Sequence, residues 1–236
     1  MEKNLNEREI SMKVMRVVIK VGGSLISEAP ELIDRLVEEF GSKNAETTPD
    51  GQASERVPYS VLIVPGGGIF ADAVREADER FGLGDDAAHW MAVLGMEQYA
   101  CYLQDKSGAK VTDSITELPS GVSILFPYRL LKEEDPLPHS WNVTSDTIAA
   151  WVAKQTGALF IKATDVDGIF REGELSREIF ASDFPKNFES CIDPFLPGFL
   201  QKNEMRCVII NGKFPDRVIQ AVYGKPVPCT AVKGNI

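Results

Sequence analysis

"VVIKVGGSLI", Val17–Ile26, is a run of β-branched residues that stops at a lysine and passes at once into two glycines and a serine. With Arg16 it reads as a continuous apolar strand, Arg16–Val21, of the kind buried on both faces of a parallel sheet. The next segment, "APELIDRLVEEF" (Ala29–Phe40), sets Leu32, Ile33, Leu36, Val37 and Phe40 at helical spacing. The same unit then recurs. "YSVLIVPGGG" (Tyr59–Gly68) is a second buried strand ending in glycines, ahead of a helix predicted over Phe70–Phe81. Strand, glycine turn and helix, met twice in succession, indicate an α/β fold.

The rest of the chain keeps this alternation. A helix is predicted over Asp85–Lys106, and another over Thr144–Ala158, which opens with capping residues. Leu159–Phe170 reads as a strand, a polar turn and a short strand. Met205–Gly212 is a late strand, and Phe214–Gly224 a helix with Pro215 in its first turn. "PCTAV" closes the pattern. Gly41–Pro58 has almost no large apolar group and is expected to be a mobile loop. Residues 1–12 are polar and expected to fray, which leaves 13–236 as one domain.

Composition narrows the function. Lys and Arg number 25 against 35 Asp and Glu, a net charge of -10. That balance disfavours nucleic acid, whose phosphates require a basic face. A small anionic substrate remains compatible if a few cations are concentrated locally. No apolar run approaches the roughly 20 residues needed to cross a membrane. The first residues also lack the apolar stretch of a signal peptide, so a cytoplasmic protein is expected. The four cysteines, Cys101, Cys191, Cys207 and Cys229, form no C-x-x-C pair, and there are two histidines. Reduced, packing cysteines and no protein-held metal are therefore expected.

Five candidates carry possible chemistry, most with a plainer reading beside them. Lys20, Gly22, Gly23 and Ser24 could cradle a phosphate with backbone N–H groups at a helix start, or could simply make a tight turn. Gly66, Gly67 and Gly68 repeat that context, and two such turns could grip opposite sides of an anionic group. Asn142 and Asp146, four residues apart, share one helix face if both are helical, which would let Asp146 hold a lysine. Alternatively Asn142, Thr144 or Ser145 only caps the helix. "IKATDVDG" carries Lys162, Thr164, Asp165, Asp167 and Gly168 after a strand, where open α/β sheets bind ligands, or forms a polar β-turn. His139 lies in a proline-constrained loop three residues before Asn142. It either donates to a substrate phosphate or bonds its own loop.

The ordered set "KVGGS", "VPGGG", "NVTSDTIAAWVA", "KATDVDGIF" and "NGKFPDRVIQAV", spanning Arg16 to Val232, resembles the amino acid kinase family. The resemblance implies a three-layer αβα sandwich with a mainly parallel central sheet. It implies an acceptor-binding lobe over about 13–155 and a nucleotide-binding lobe over about 156–236. ATP with Mg2+ would be the cofactors, and a homo-oligomer is expected. By the same resemblance Lys20 stabilises the transferring phosphoryl group and Asp146 orients Lys20, tied to it rather than to the core. Gly22, Gly23, Ser24, Thr164, Asp165, Asp167 and Gly168 contact ATP. Gly66, Gly67, Gly68, Asn142 and His139 contact the acceptor.

Two departures from the family pattern matter. "CIDPFLPGFLQKNEMR" lacks the paired glycines and second catalytic lysine of many members, and Cys229-Thr230 stands where Gly-Thr is usual. The missing lysine disfavours carboxylate acceptors and suits an acceptor that is already a phosphate. "LPHSWNVTSDTIAAW" and "HWMAVLGMEQYA" resemble the branch acting on an aminomethylfuran methyl phosphate in methanofuran biosynthesis. A uridylate or isopentenyl phosphate kinase, or an oxometalate storage protein of the same fold, are the alternatives.

Overall fold

Successive side chains of a strand face opposite sides of a sheet, and β1 (Met15–Val21) uses this to feed two apolar layers. Val17, Ile19 and Val21 enter one layer and Val18 the other. Lys20 follows Val18 on the second face. The computed structural model describes residues 14–41, 58–185 and 190–234. The loop expected at Gly41–Pro58 lies outside them apart from its two ends.

β1 pairs in parallel with β2 (Tyr59–Pro65) on one side and β5 (Leu159–Thr164) on the other. β4 (Gly121–Leu125) and β3 (Lys110–Thr112) extend the sheet beyond β2, and β9 (Arg206–Asn211) extends it beyond β5. The far edge is β10 (Thr230–Lys233), antiparallel to β9, followed by β8 (Glu178–Phe180). The order β3-β4-β2-β1-β5-β9-β10-β8 puts β1 and β5 at the centre. β6 (Phe170–Arg171) and β7 (Glu174–Leu175) form a separate hairpin.

Helices cover both faces, giving the three-layer αβα sandwich. α1 (Ala29–Phe40) and α7 (Pro215–Val222) bury Leu32, Ile33, Val218 and Ile219 against one face. α4 (Pro127–Glu134), α5 (Ser145–Thr156) and α6 (Leu196–Lys202) bury Leu131, Ile148, Val152 and Leu200 against the other. α2 (Gly68–Phe81) and the long α3 (Asp85–Ser107) complete the first half. Each fully buried aliphatic side chain contributes about 1.5–3 kcal/mol, so two continuous layers provide a rigid platform. The predicted strands and helices fall within a residue or two of those observed. β3, β4, β7, β8, α4 and α6 are not among the predicted elements: β3, β7 and β8 have three residues or fewer, and α6 carries a proline and a glycine.

Candidate active site

Both glycine turns leave the sheet at the carboxyl ends of adjacent strands, and they touch. A Cβ on Gly23 would lie 2.3 Å from Gly68 Cα and 2.5 Å from Gly68 N, so this contact tolerates no side chain. Not every glycine amide faces outward. Gly22 N–H donates to Ala163 O at 3.0 Å and Gly66 N–H to Val21 O at 2.8 Å, extending the sheet ladder. Those two amides are therefore committed to backbone carbonyls rather than to the phosphate contacts expected of them. Gly23, Ser24, Gly67 and Gly68 instead line a cavity of about 440 Å³. Gly67 caps α2 and Gly68 begins it, where first-turn N–H groups lack intrahelical acceptors and the helix dipole favours an anion.

Beside these turns lies a buried charge cluster. Lys20 is 6% exposed, Asp146 3%, Lys162 3% and Asp193 5%. The Lys20 ammonium pairs with Asp146 Oδ1 at 2.9 Å. Lys162 donates a short hydrogen bond to Asp146 Oδ2, which also accepts from Asp193 N–H at 3.2 Å. Burial alone would raise the Asp146 carboxyl, but Lys20 and Lys162 reverse this and hold it at about 2. The sequence joins Asp146 to Lys20 and carries Lys162 in the stretch ending β5, but only the fold brings Lys162 to Asp146, and only the fold brings in Asp193.

The start of α5 explains why Asp146 points inward. Thr144 caps the helix, its hydroxyl accepting from Asp146 N–H at 3.3 Å. Asp193 then takes both the Thr144 and the Thr147 N–H groups at 3.0 Å, and their hydroxyls at 3.0 and 2.7 Å. Its second oxygen also accepts from Leu196 N–H at 2.8 Å. Burial pushes this carboxyl up, and so does Asp146, while these donors oppose the rise. Asp193 thus ties the loop before α6 to the first turn of α5. Helix α5 begins only at Ser145, so Asn142 is not helical and does not share a face with Asp146. Asn142 is exposed, and its carbonyl accepts from Phe195 N–H at 3.2 Å.

Opposite the glycine turns, α2, α3 and the loop before α5 wall the cavity. Asp72, Arg75, Asp85, His89 and Trp141 supply its polar and aromatic lining. Arg75 pairs with Asp72 at 3.2 Å and its guanidinium sits 4.6 Å from the Trp141 ring centroid. Trp141 is held by donating its indole N–H to Asp78 Oδ2 at 2.6 Å. His139 turns both ring nitrogens to carboxylates, Asp86 at 2.6 Å and Asp135 at 2.9 Å, and stacks on His89 with ring centroids 4.0 Å apart. A direct bond from His139 to an acceptor phosphate would have to break one of these pairs; His89 is the imidazole that lines the cavity. Burial, then His139, pushes His89 down to about 4, so it faces the cavity uncharged.

His139 instead clips α3 to α4. The hydrogen bond to Asp86 leads the effects that raise its pKa. The clip's contribution is therefore full below 6.5, the ordinary imidazole value, and is lost as pH rises through the elevated one. Thermal melts of His139→Ala and the parent protein should differ most on the acid side of neutrality and converge on the alkaline side.

The turn after β5 lies beside the end of β9. Gly212 N–H donates to Thr164 O at 2.7 Å, and Thr164 is buried next to Asn211 in the ladder. Asp167 Oδ1 accepts from Asn211 Nδ2 at 3.0 Å and Arg217 at 3.1 Å, whereas Asp165 is exposed. Gly168, at φ 153°, has Thr230 Oγ1 2.4 Å from where its Cβ would be. Close packing against Thr230 thus accounts for glycine there. Asn211 and Arg217, which brace this turn, sit in a stretch the sequence singles out without assigning them a role.

The Amino acid kinase family profile matches residues 15–120 and 122–180. The chain is 29% identical over 226 residues to the [5-(aminomethyl)furan-3-yl]methyl phosphate kinase of Methanocaldococcus jannaschii, covering 92% of this chain and 97% of that one. Among solved structures, uridylate kinase from Archaeoglobus fulgidus superposes with a TM-score of 0.65 at 20% identity, over 92% of this chain and 100% of its own. UMP kinase from Ureaplasma parvum gives 0.64 at 16%, over 94% and 97%. These two likenesses bear on the fold alone. With its profile match running through both glycine turns, the cluster lysines and Asp146, this chain belongs to the amino acid kinase family.

Proposed function

We propose that the protein transfers the γ-phosphoryl group of ATP to a small phosphomonoester that carries an ammonium group. The observation that carries this reading is the meeting of the two glycine turns beside buried Lys20, lining a cavity that Asp85 also lines. An oxygen of the acceptor phosphate attacks the γ-phosphorus, and the bond to the β,γ-bridging oxygen breaks. The products are ADP and a diphosphate ester. Phosphoryl transfer asks the protein for positioning and charge stabilisation rather than covalent chemistry. Lys20 meets the charge that develops, while Gly23, Ser24, Gly67 and Gly68 approach the phosphates closely enough for backbone donors to reach them.

The acceptor occupies the half before about residue 155 and the nucleotide the half after, with Thr164, Asp165 and Asp167 on the nucleotide side. Among the described residues no group of three or more His, Cys, Asp or Glu is arranged around a metal. Mg2+ would arrive on the triphosphate, held largely by substrate phosphates. When bound it neutralises phosphate charge.

Acceptor choice follows from the cavity. Asp85 suits an ammonium, Asp72 being paired with Arg75; Trp141 suits an aromatic ring and the glycine turns a phosphate. The Methanocaldococcus jannaschii relative is named for an acceptor with those three parts, an aminomethylfuran methyl phosphate. A wholly hydrocarbon tail would set apolar atoms against Asp85. The decisive experiment is a coupled ADP-release assay across that compound, uridylate and isopentenyl phosphate, with the free alcohol of the furan as control. Turnover with the aminomethylfuran phosphate and none with its alcohol supports the assignment; preference for uridylate or isopentenyl phosphate overturns it. Asp85→Asn should raise the acceptor KM about 10-fold, the scale of one weakened charged contact, with the KM for ATP unchanged. No helix among the described residues is long and apolar enough to cross a membrane. Exposed Ile69, Met91 and Leu94 on α2 and α3 support a homo-oligomer, which light scattering on the purified protein tests.

Gly23→Ala probes the contact between the turns. Its Cβ would force Gly68 backbone to move, and a 1 Å displacement of a phosphate-binding turn can cost about 10²-fold in rate. A fall of that size in kcat/KM is expected, with a destabilisation of about 1–3 kcal/mol from overpacking, read by steady-state kinetics and thermal denaturation.

A further inference from the structure

His89 lines the cavity, and no step described above uses it. It stands four residues after Asp85 on α3, so the two share one helix face, and both reach the same cavity. Behind His89 lies the ring of His139, nearly parallel at an interplanar angle of 16° with centroids 4.0 Å apart. Trp90 packs edge-on against both rings, at 4.8 Å from His89 and 5.2 Å from His139. The two imidazoles are held very differently. His139 is committed at both nitrogens, Nδ1 to Asp86 and Nε2 to Asp135. Ionised carboxylates only accept, so both nitrogens of His139 donate and the ring is an imidazolium. His89 has no hydrogen-bond partner among the described residues.

Such a stack has room for one charge. A second proton, on His89, would set two cations face to face 4.0 Å apart. The carboxylates fix the charge on the rear ring, which leaves the ring at the cavity with a bare nitrogen lone pair.

We infer that His89 is a specificity-determining residue: its uncharged imidazole offers a ring-nitrogen lone pair to the ammonium of the acceptor beside Asp85, and the His139 imidazolium stacked behind it keeps it in that form. A carboxylate alone attracts any cation. The imidazole adds one directional acceptor for an N–H of a primary ammonium. A protonated His89 would do the reverse, losing the lone pair and setting a like charge against the substrate.

The charged groups around His89 are His139 in the loop before α5, Asp86 on α3, and Asp135 and Lys132 at the end of α4. Asp85 and the Asp72–Arg75 pair line the cavity it faces. Burial, then His139, lowers the His89 pKa to about 4; Asp135 and Asp86 oppose this, and Lys132 adds to the lowering. Removing the His139 charge while Asp86 and Asp135 stay must therefore raise it. His89 would then take up a proton at a pH where the parent ring takes none.

The inference rests on the kinase reading of the same cavity, and the test separates the two. Full-length His89→Phe, which keeps the stack without the lone pair, is assayed with ATP and the aminomethylfuran methyl phosphate. The acceptor KM should rise about 10-fold, the scale of a lost hydrogen bond to a charged group, with the KM for ATP unchanged. With the analogue bearing methyl in place of aminomethyl, parent and variant should be equal, because no ammonium is there to be read. His89→Leu replaces His89→Phe if the latter does not fold. His139→Phe should match the parent at alkaline pH and show a rising acceptor KM relative to it as pH falls toward 5. The ratio of the two KM values cancels the titration of the acceptor's own phosphate. The methyl analogue should show no such divergence, which a merely loosened loop would not spare.

A second readout needs no turnover. The chain has two histidines, so imidazole C–H signals in NMR report each one. One should titrate above 6.5 and the other near 4, and in His139→Phe the remaining ring should titrate higher than it does in the parent. An unchanged acceptor KM in His89→Phe, equal losses with the aminomethyl and methyl compounds, or two histidines that titrate together near 6.5 would overturn the proposal. Failure of the parent protein to phosphorylate any phosphomonoester overturns the kinase reading instead. The His89 signal then decides the inference by itself: a shift with the aminomethyl compound and none with the methyl analogue supports it, and equal responses to both reject it.

Discussion

Lys20→Ala should reduce kcat by about 10²-fold or more, the loss seen when one preorganised donor to a developing charge is removed. The protein should still fold. Asp146 keeps its hydrogen bond from Lys162 and from Asp193 N–H, so no buried carboxylate is left bare. The shortened side chain opens space beside Gly22 without disturbing the ladder bond from Gly22 N–H to Ala163 O. Steady-state kinetics alongside a thermal melt make the distinction. A variant that folds and turns over near the parent rate would remove Lys20 from the mechanism, and with it the main support for phosphoryl transfer at this site.

Asp146→Asn should be the most destabilising polar substitution in the cluster, at about 3–5 kcal/mol, because it strands two buried ammonium groups on a neutral amide. The sequence alone suggests otherwise. It ties Asp146 to Lys20 as a catalytic orienter and anticipates little effect on stability. Burial between two lysines overturns that expectation. The pH dependence has a definite sign. The Asp146 pKa is lowered from 3.8 to about 2 in the folded protein, so its contribution is complete above 3.8 and disappears as pH falls toward 2. The amide variant should lose that acid transition. It should instead gain stability with rising pH, as the unpaired ammonium groups shed protons. Denaturant melts across the pH range read both effects, and a variant as stable as the parent at neutral pH would sink the argument.

What the sequence reveals about this site depends on the distance over which its parts are joined. β1, α1, β2 and α5 are legible because each is a continuous run with one period and a recognisable end. The glycine turns are legible for the same reason, although which amides remain available is not. That follows from Gly22 and Gly66 continuing the ladder, a matter of backbone geometry. Lys162 sits in plain view between Ile161 and Ala163, but only the β1–β5 register, across more than 140 residues, brings it next to Lys20. Asp193 lies 47 residues beyond Asp146, in a segment conspicuous for a glycine pair and lysine it lacks. A polar residue in an apolar strand was the available signal for Lys162: an unpaired ammonium in a β5 core position would be too costly to keep without a carboxylate nearby. His139 shows the opposite failure, since position near the site suggested a ligand contact that Asp86 and Asp135 already occupy.

The contact of Gly23 with Gly68 divides the labour of the protein in a way that bears on redesign. One side of the cavity is backbone, two glycine turns abutting with no room for a side chain, and it can offer every phosphate ester the same amides. The other side is written in replaceable side chains, Asp72, Arg75 and Asp85 on α2 and α3 and Trp141 ahead of α5. Exchanging those residues should retune which alcohol's phosphate is accepted while the transfer machinery is inherited intact. On the phosphoryl-transfer reading, a repertoire of acceptors is thus reachable through the surfaces of α2 and α3 and the loop carrying Trp141, while the glycine turns hold what all of them share, the phosphate.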